Sequence, residues 1–501
     1  MKLNNKRTIF VGFAFFLICA FWQAYDTIIP KILTDKFGMS QSWSGVVMGI
    51  DNVLALFMLP LFGALSDKCK NKRGRRTPFI VTGTLVATVL LVVLSFADNM
   101  QLKQIEAVAP TNPTAQETLY DANLSYQTLS GKEINLTEEY SRDEFCAISI
   151  TDENGGTSAE YTEYVVPARH AYVREVTDLN KVPLVFFIVV LLLTLVSMAT
   201  FRSPAVALMP DVTIKPLRSK ANAIINLMGT AGGIIVLGLG MVFATGKAQN
   251  ALMSYIVFFG CVAGLMLIAL AIFLWKVKEP QFVHEMHEES VRLGIEEAGN
   301  EDGVGDRKLT HAERRSLLLI LSSVILWFFG YNAIISKYSV YASNVLNLDY
   351  NLTLMIATGA AIVAYIPVGA IASKFGRKKT ILVGIIILGV AFLLGSFMRA
   401  GSSPMIMNLL FAMAGIGWAT INVNSYPMVV ELSQGGNVGK FTGFYYTASM
   451  AAQTLTPVVS GIIMDRLGMT TLFPYGCVFV LLSFITMLFV KHGDNKVETA
   501  A

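Results

Sequence analysis

Two carboxylates, Asp26 and Asp51, interrupt long apolar stretches close to the N-terminus. They are the only acidic residues that we expect well inside such stretches. A charged side chain in hydrocarbon costs several kcal/mol, so an acid kept there is a functional candidate. Because burial penalises the charged form of a carboxylate, such a group suits proton uptake and release. Asp26 and Asp51 are therefore predicted to carry protons, although Asp26 could instead be solvated at a nearby helix end.

The main cation within an apolar stretch is Arg202. Its planar guanidinium could pair with a carboxylate or bind the hydroxyl groups of a substrate. It could equally extend toward the membrane surface and keep its charged end in water. Lys31 and Lys337 lie near predicted helix ends, and we expect both to reach the surface in this last way.

Neutral polar and aromatic residues recur at helical spacing on several apolar stretches. Amides and hydroxyls can bind sugar hydroxyls, and aromatic rings can stack on the apolar face of a sugar. The same residue types also form hydrogen bonds between helices, so each candidate has a structural alternative. The candidate substrate-binding residues are Trp22, Gln23, Arg202, Asn222, Asn226, Tyr331, Asn332, Trp418, Asn422, Tyr445 and Gln453.

The composition indicates that these residues lie in a membrane protein. Of the 501 residues 54% are hydrophobic and 15% are charged, whereas soluble domains carry about 25% charged residues. This excludes a disordered chain, a nucleic-acid-binding protein and an ordinary soluble enzyme. Twelve apolar stretches approach or exceed the roughly 20 residues that a membrane-spanning helix needs. They run near residues 8–30, 43–66, 78–97, 182–208, 219–244, 250–275, 316–345, 352–373, 379–399, 404–430, 440–464 and 472–490.

Basic residues between the second and third stretches, and between the eighth and ninth, predict the orientation. With an even number of spans, these loops and both termini share one side, which the positive-inside rule makes cytoplasmic. An acidic segment after the third stretch then lies outside the cell membrane (plasma or inner). We expect it to form a folded cap with a hairpin of residues 145–150 and 161–166 around a turn at residues 154–156; a disordered insert is the alternative. The predicted divisions are 1–97 and 182–275 for the first half, 98–181 for an extracytoplasmic insert, 276–315 for a solvated, partly helical cytoplasmic linker, and 316–501 for the second half and tail.

The two halves of the chain resemble each other. The pattern Tyr-[Asp/Asn]-x-Ile-Ile-x-Lys begins at Tyr25 and again at Tyr331, 306 residues later, and the same spacing aligns Gly63 with Gly369. Two matches at one spacing favour a parallel repeat of six helices, with a substrate site between the halves near the membrane midplane. Rocking of one half against the other would expose this site to each side in turn.

The loop between the second and third helices carries a more specific motif. Residues 63–80 resemble the signature loop of the major facilitator superfamily. Their pattern Ser-Asp-x-Cys-x4-Gly-Arg-Arg-x-Pro-Phe-Ile is similar to the plant sucrose–proton symporters and their animal and bacterial relatives. A more distant resemblance is to the glycoside–pentoside–hexuronide cation symporters. The resemblance implies twelve helices in two six-helix halves, sugar–proton symport, and a cytoplasmic gating loop of Gly63, Asp67, Gly74, Arg75, Arg76, Gly376 and Arg377.

The sequence departs from those families at several positions. Asp67, among the basic residues of the first-half loop, is expected to form a releasable latch. Ser373 stands at the corresponding position of the second half, so a latch there is weaker or absent. Val206 stands where the plant symporters have an arginine, one turn after Arg202. The distant cation symporters have carboxylates where Ala55 and Leu59 stand here, which makes sodium a less expected coupling ion than a proton.

The sequence therefore predicts an all-α membrane protein that transports a di- or oligosaccharide or related glycoside with a proton, as a monomer. Two alternatives stay open: a proton-coupled exporter of small amphipathic compounds, and a membrane receptor that binds partners through the extracytoplasmic insert. The sequence contains no P-loop, zinc-protease or serine-hydrolase motif, so we do not expect an enzyme. We expect no metal, cofactor or nucleic-acid partner either.

Overall fold

Helices dominate the computed structural model, which describes residues 3–152, 157–214, 218–292, 309–432 and 438–493. The first half contributes the long helices α1 (Asn5–Lys31), α2 (Gln41–Asp67), α3 (Thr77–Ile105), α8 (Val182–Asp211), α9 (Arg218–Val242) and α10 (Ile256–Lys276). The second half contributes α12 (His311–Tyr341), α13 (Tyr350–Phe375), α14 (Arg377–Gly395), α15 (Pro404–Glu431), α16 (Val438–Leu467) and α17 (Leu472–Leu488). The intervening numbers belong to shorter helices of the insert and the linker, whose bounds follow below.

The long helices are built to cross a membrane. Within the described residues, ten helices are long and apolar enough to do so, and α13 adds the shorter apolar stretch Tyr350–Tyr365. A helix satisfies its backbone hydrogen bonds internally, which lipid requires of any spanning segment. The predicted all-α, multi-pass membrane protein is confirmed. Each predicted apolar stretch overlaps one of the long helices, although α10 begins at Ile256 and not near residue 250.

Each half has its own hydrophobic core. Buried residues of α1, α2, α3, α8, α9 and α10 form one cluster, and buried residues of α12 to α17 form most of a second. In the first half α1 packs on α9 and α3 packs on α8, whereas in the second half α13 and α14 pack on α15. The repeat in the sequence thus corresponds to two bundles of six helices.

The two halves meet at one end of the bundle. We call the end that carries the insert the insert end, and the opposite end the linker end. There α2 packs on α16, α1 on α12 and α9 on α13. Glycines permit the closest approaches: a Cβ on Gly45 would lie 2.1 Å from the carbonyl oxygen of Pro457, and one on Gly461 would lie 2.3 Å from that of Gln41. The halves are therefore closed against each other at the insert end.

The insert folds as a small unit with its own core. It contains α4 (Ala115–Ala122), α5 (Leu136–Glu139), α6 (Arg142–Cys146) and α7 (Val166–Leu179), and a hairpin of β1 (Ser125–Gln127) with β2 (Glu133–Asn135). Phe145 and Val173 are fully buried in this core. The hydroxyl and the backbone N–H of Ser141 donate to the carboxylate of Glu144 and lower its pKa, which stabilises the start of α6.

The insert also touches the second half. Leu129, in the hairpin loop, is buried in the second-half core. A Cβ on Gly468, just after α16, would lie 2.7 Å from the carbonyl oxygen of Leu129. Gly468 has a φ of +93°, a conformation that favours glycine. The insert therefore bridges both halves at this end, although its chain enters and leaves through the first half alone.

The hairpin predicted over residues 145–150 and 161–166 is wrong. Phe145 lies in α6, and Tyr161–Val165 forms a π-helical turn that leads into α7. The apolar residues that suggested strands instead belong to helical turns packed on the insert core. An isolated bridge between Thr151 and Thr157 flanks the predicted turn, whose residues 154–156 lie outside the described part of the chain.

The linker begins with an ordered helix, α11 (Glu279–Arg292), at the linker end. Phe282 packs against the first-half core, and Arg7 donates to its carbonyl oxygen at 2.6 Å. Arg7 also pairs with Glu285 at 2.8 Å. The described part of the predicted solvated, partly helical linker is helical and mostly exposed, but Glu279 and Ser290 are buried. Residues 293–308 lie outside the described part.

Candidate functional site

The first half brings four predicted site residues together from three helices. Trp22 and Asp26 lie on α1, Asp51 on α2 and Arg202 on α8. The Arg202 guanidinium lies 5.2 Å from the centre of the Trp22 ring, within cation–π range. Both carboxylates lie within electrostatic range of Arg202, but neither forms a direct ion pair in the described part of the chain. The two acids are thus close to a cation without being locked to it.

A small cavity lies beside this cluster. Asp51 accepts a hydrogen bond from the side-chain amide of Asn52 at 2.9 Å, which fixes one of its oxygens. The indole N–H of Trp22 is buried and, within the described part of the chain, has no hydrogen-bond partner. A buried donor without a partner is costly, so this atom is suited to bind a ligand oxygen or water. The cavity is lined by Trp22, Asp51, Ala55, Leu59, Leu195, Ala199 and Arg202.

The other first-half candidates lie along α1 and α9. A Cβ on Gly233 would lie 3.4 Å from the side-chain oxygen of Gln23, so Gln23 faces α9. Asn226 is exposed on α9. The side chain of Asn222 lies outside the described part. The structure thus places Gln23 at the α1–α9 contact rather than within the carboxylate cluster.

In the second half, an aromatic stack joins α12 and α15. The rings of Tyr331 and Trp418 are parallel, with their centres 3.8 Å apart, and Phe328 meets Trp418 edge-on at 5.1 Å. Asn332 follows Tyr331 on α12, and its buried side-chain N–H₂ has no hydrogen-bond partner among the described residues. A stacked flat ring and an unsatisfied polar group within one helical turn are features that suit a partly apolar, hydroxyl-rich ligand.

The remaining second-half candidates make contacts of their own. The hydroxyls of Tyr445 and Ser425 lie 2.9 Å apart and join α16 to α15. The Gln453 side chain donates to the carbonyl oxygen of Ser449, one turn earlier, at 3.3 Å. The carbonyl oxygen of Asn422 accepts from Ser425 at 3.3 Å. For Tyr445 and Gln453, these bonds are the helix-stabilising alternative to substrate binding.

The two clusters occupy repeat-related positions. Asp26 on α1 corresponds to Asn332 on α12 at the spacing of 306 residues, and α1 packs on α12. Both clusters therefore lie on helices at the boundary between the halves. In transporters built from parallel repeats, the substrate site lies at the boundary between the repeats, beside such a pair of repeat-related helices.

The loop between α2 and α3 forms a charged network at the linker end. Arg75 binds Asp211, at the end of α8, through two nitrogens at 2.7 and 3.2 Å. Arg76 donates to Asp211 at 2.8 Å and also contacts Asp67 and Ser66. Burial alone would lower the pKa of Arg76, but its hydrogen bond with Asp211 and the charges of Asp211 and Asp67 raise it. The predicted loop residues Arg75 and Arg76 thus converge on Asp211, an acid of another helix, and Asp67 joins the network through Arg76.

A second carboxylate, Glu279, holds the start of α3. It accepts the backbone N–H groups of Arg75 and Arg76 at 2.8 and 2.9 Å and that of Thr77 at 2.8 Å, and it also accepts the Thr77 hydroxyl at 2.7 Å. A carboxylate at a helix N-terminus satisfies free donors and complements the helix dipole. Gly74, with a φ of +111°, has no space for a side chain, because a Cβ would lie 2.2 Å from a Glu279 oxygen.

The second-half copy of the loop is simpler. Gly376 has a φ of +93° and precedes α14. Arg377 donates to the carbonyl oxygen of Pro427 in α15 at 3.4 Å. Lys378 donates to carbonyl oxygens at the end of α17, Leu488 at 2.9 Å and Val490 at 2.7 Å. The side chain of Ser373 lies outside the described part, and Gly63, in the first half, packs against Ser203.

The sequence missed buried charges at the helix ends. Asp35 and Asp98, near the insert-end termini of their helices, are fully buried, which the sequence did not indicate. Asp98 pairs with the buried Lys36 at 2.7 Å. In the sequence, each of these acids lies near another charged or polar residue. Such a group of polar residues is typical of a helix end. These acids are buried because the π-helical turn Ile32–Lys36 continues α1 and because the insert covers this end of the first half.

Comparison with known proteins agrees with this architecture. The protein-family model described as Major Facilitator Superfamily matches residues 177–366 and 349–501 of the chain. A second family model, described as MFS/sugar transport protein, matches residues 10–108. A sucrose transport protein of Arabidopsis thaliana is 36% identical over 62 residues, or 12% of each chain. Another, of Oryza sativa subsp. indica, is 30% identical over 73 residues, or 15% of this chain and 14% of that protein. The similarity thus spans only about an eighth of these curated relatives.

Solved structures resemble the chain over nearly its whole length. An inward-open structure of the xylose transporter XylE from E. coli has a TM-score of 0.57, at 14% identity, over 98% of this chain and 97% of that one. The crystal structure of a D-xylose–proton symporter has a TM-score of 0.54, at 15% identity, over 97% of this chain and 98% of that one. At such identities these likenesses concern the fold alone. With the family match over most of the chain and the two six-helix halves, they establish that the chain belongs to the major facilitator superfamily, whose members are membrane transporters.

Proposed function

We propose that the chain is a secondary active transporter that carries a di- or oligosaccharide or related glycoside together with a proton. The insert end faces outward and both termini face the cytoplasm of a cell membrane, and the protein acts as a monomer. The short matches to sucrose transport proteins and the sugar-transport family model over residues 10–108 support the substrate class. The basic loop at the linker end supports the orientation.

The observation that carries the sugar assignment is the pairing of aromatic surfaces with unsatisfied polar atoms on α1 and α12. Tyr331, which stacks on Trp418, and the side-chain N–H₂ of Asn332 belong to the same turn of α12, and the Trp22 ring carries an N–H; neither N–H group has a hydrogen-bond partner among the described residues. A sugar needs both features, because its ring faces are partly apolar while its hydroxyls require hydrogen bonds.

The carboxylate cluster supplies the coupling in this proposal. Asp26 and Asp51 lie near the single positive charge of Arg202, so loss or gain of one proton changes the net charge of the cluster. The protonated cluster accepts sugar, and release of the proton on the cytoplasmic side follows once the halves rock. The closure of the insert end corresponds to the stage in which sugar leaves toward the cytoplasm.

Uptake into proteoliposomes tests the function. Purified protein is reconstituted, a pH gradient is imposed, and a panel of labelled mono-, di- and oligosaccharides and glycosides is offered. We expect accumulation of at least one disaccharide or glycoside that a protonophore abolishes. Correctly inserted protein that accumulates no sugar from the panel would overturn the substrate class, and accumulation insensitive to the protonophore would overturn proton coupling.

Trp418 offers a specific test of sugar stacking. Replacing Trp418 by alanine removes one ring of the stack, which should cost about 1 to 2 kcal/mol of binding and raise the half-saturating sugar concentration about five- to thirtyfold. Trp418→Phe keeps an aromatic face and should restore most of the affinity. Trp275→Ala, at an exposed position on α10, is the matched control. An unchanged half-saturating concentration in Trp418→Ala would exclude Trp418 from the binding surface.

A further inference from the structure

Two lysines related by the repeat are buried where the halves meet. Lys31 and Lys337 close the shared pattern of α1 and α12, and we expected both to reach the membrane surface. Instead they are 1% and 0% exposed. Burial of an ammonium group is expensive unless it is paired and hydrogen-bonded, so their partners must compensate for the lost water.

Each lysine reaches across to the opposite half. The Lys31 ammonium, from the first half, donates to the hydroxyl of Ser343, in the π-helical turn after α12, at 2.7 Å. The Lys337 ammonium, from the second half, donates to the carbonyl oxygen of Gln41, the first residue of α2, at 2.7 Å. The two contacts are reciprocal, because each half provides one lysine and receives the other.

A carboxylate accompanies the lysine on each side. Asp35, fully buried, lies 3.8 Å from Lys31 and accepts the side-chain N–H₂ of Asn344, in the second half, at 3.0 Å. His170, on helix α7 of the insert, lies 3.1 Å from the same Asp35 oxygen. Asp35 thus joins both halves and the insert at one point.

The carboxylate on the other side is Asp465, at the end of α16. It accepts the backbone N–H groups of Gln41 at 2.7 Å and Ser42 at 2.8 Å, and also contacts the Ser42 hydroxyl. An acid of the second half therefore caps the first turn of a first-half helix, whose free N–H groups and dipole favour negative charge there. Lys337 holds the carbonyl oxygen of the same residue, Gln41.

We propose that Lys31 with Asp35 and Lys337 with Asp465 form a two-part gate that closes the insert end and parts when the transporter opens outward. The proposal rests on the proposed function, since only an alternating-access transporter needs to open and close this end. The four residues position the halves rather than bind sugar. Their contacts are polar and directional, so they separate and re-form without leaving apolar surface behind, unlike a packed core.

Distances across the insert end test the gate without sugar or a proton gradient. On a cysteine-free background, spin labels attached at Lys247→Cys, after α9, and Ser403→Cys, before α15, report the separation of the halves by double electron–electron resonance. Both positions are exposed and lie outside the gate. Lys31→Met and Lys337→Met keep side-chain length but remove the charge and donors.

We expect one short distance in the parent, a partial shift to longer distances in each methionine variant, and a majority of long distances in the double variant. Arginine at either position should retain the short distance, because it can still donate across the interface. Lys181→Met, at an exposed insert-end position, is the control and should leave the distribution unchanged. A monodisperse double variant with the parent distribution would overturn the gate.

A second pair of variants covers the case in which the double lysine variant does not fold. Ser343→Ala and Asp465→Asn weaken the same contacts from the receiving side and should together lengthen the distance. An unchanged distribution in that double variant would also overturn the gate. Lengthened distances in a protein that accumulates no sugar would instead support the gate and count against the proposed substrate.

Discussion

Replacing both Asp26 and Asp51 by asparagine is expected to abolish sugar accumulation driven by a pH gradient while sparing sugar exchange. Asparagine keeps the shape and polarity of the side chain but cannot take up a proton. A gradient of one pH unit is worth about 1.4 kcal/mol and can support about a tenfold accumulation for one proton per sugar. The double variant should lose that accumulation. Labelled-sugar uptake with and without the gradient, beside counterflow in preloaded vesicles, measures both properties.

The single variants show which acid carries the proton. A variant at the coupling position should behave like the double variant, whereas the other should retain part of the accumulation. Asp178→Asn, at an exposed position in the insert, is a matched control and should accumulate sugar normally. If the double variant keeps full gradient-driven accumulation, the assignment of the coupling to these two residues is wrong.

Replacing Glu279 by alanine is expected to lower the stability of the folded protein by about 2 to 3 kcal/mol, because it leaves buried N–H donors at the start of α3 unpaired. It should also reduce transport, since the same loop sets the contact of Arg75 with Asp211. Thermal unfolding in detergent and initial uptake rates in proteoliposomes measure the two effects.

Two further variants make this result specific. Glu288→Ala removes an exposed acid from the same helix and should be neutral. Glu279→Gln keeps one acceptor oxygen and should fall between the parent and the alanine variant. An alanine variant that unfolds at the parent temperature would show that Glu279 does not stabilise the loop.

Most of the fold could be predicted from the sequence, because each membrane-spanning helix can be recognised from its own residues. A spanning helix needs about 20 apolar residues whatever its neighbours are, so α8, with Arg202 on it, could be recognised from its own residues. The repeat and the loop motif then gave the two halves. Asp26 and Asp51 stood out because a carboxylate inside such a stretch is unusual.

The features that were missed depend on neighbours far away in the chain. In the sequence Lys31 resembles an ordinary helix-end lysine, because no residue near it indicates a contact with Ser343 of the second half. Glu279 looked like part of a polar linker until folding placed it at the start of α3. Burial at a helix end is set by tertiary contacts, which local composition does not encode.

The contact of Leu129 with Gly468 has a practical consequence for following the transport cycle. A protein that opens at the insert end must separate this contact, since the insert is anchored to the first half by its chain and Gly468 belongs to the second. The surface around the contact is therefore a composite epitope that exists in one state alone. An antibody fragment selected against it should bind one conformer, arrest turnover from the insert end, and so report in real time which state the protein occupies.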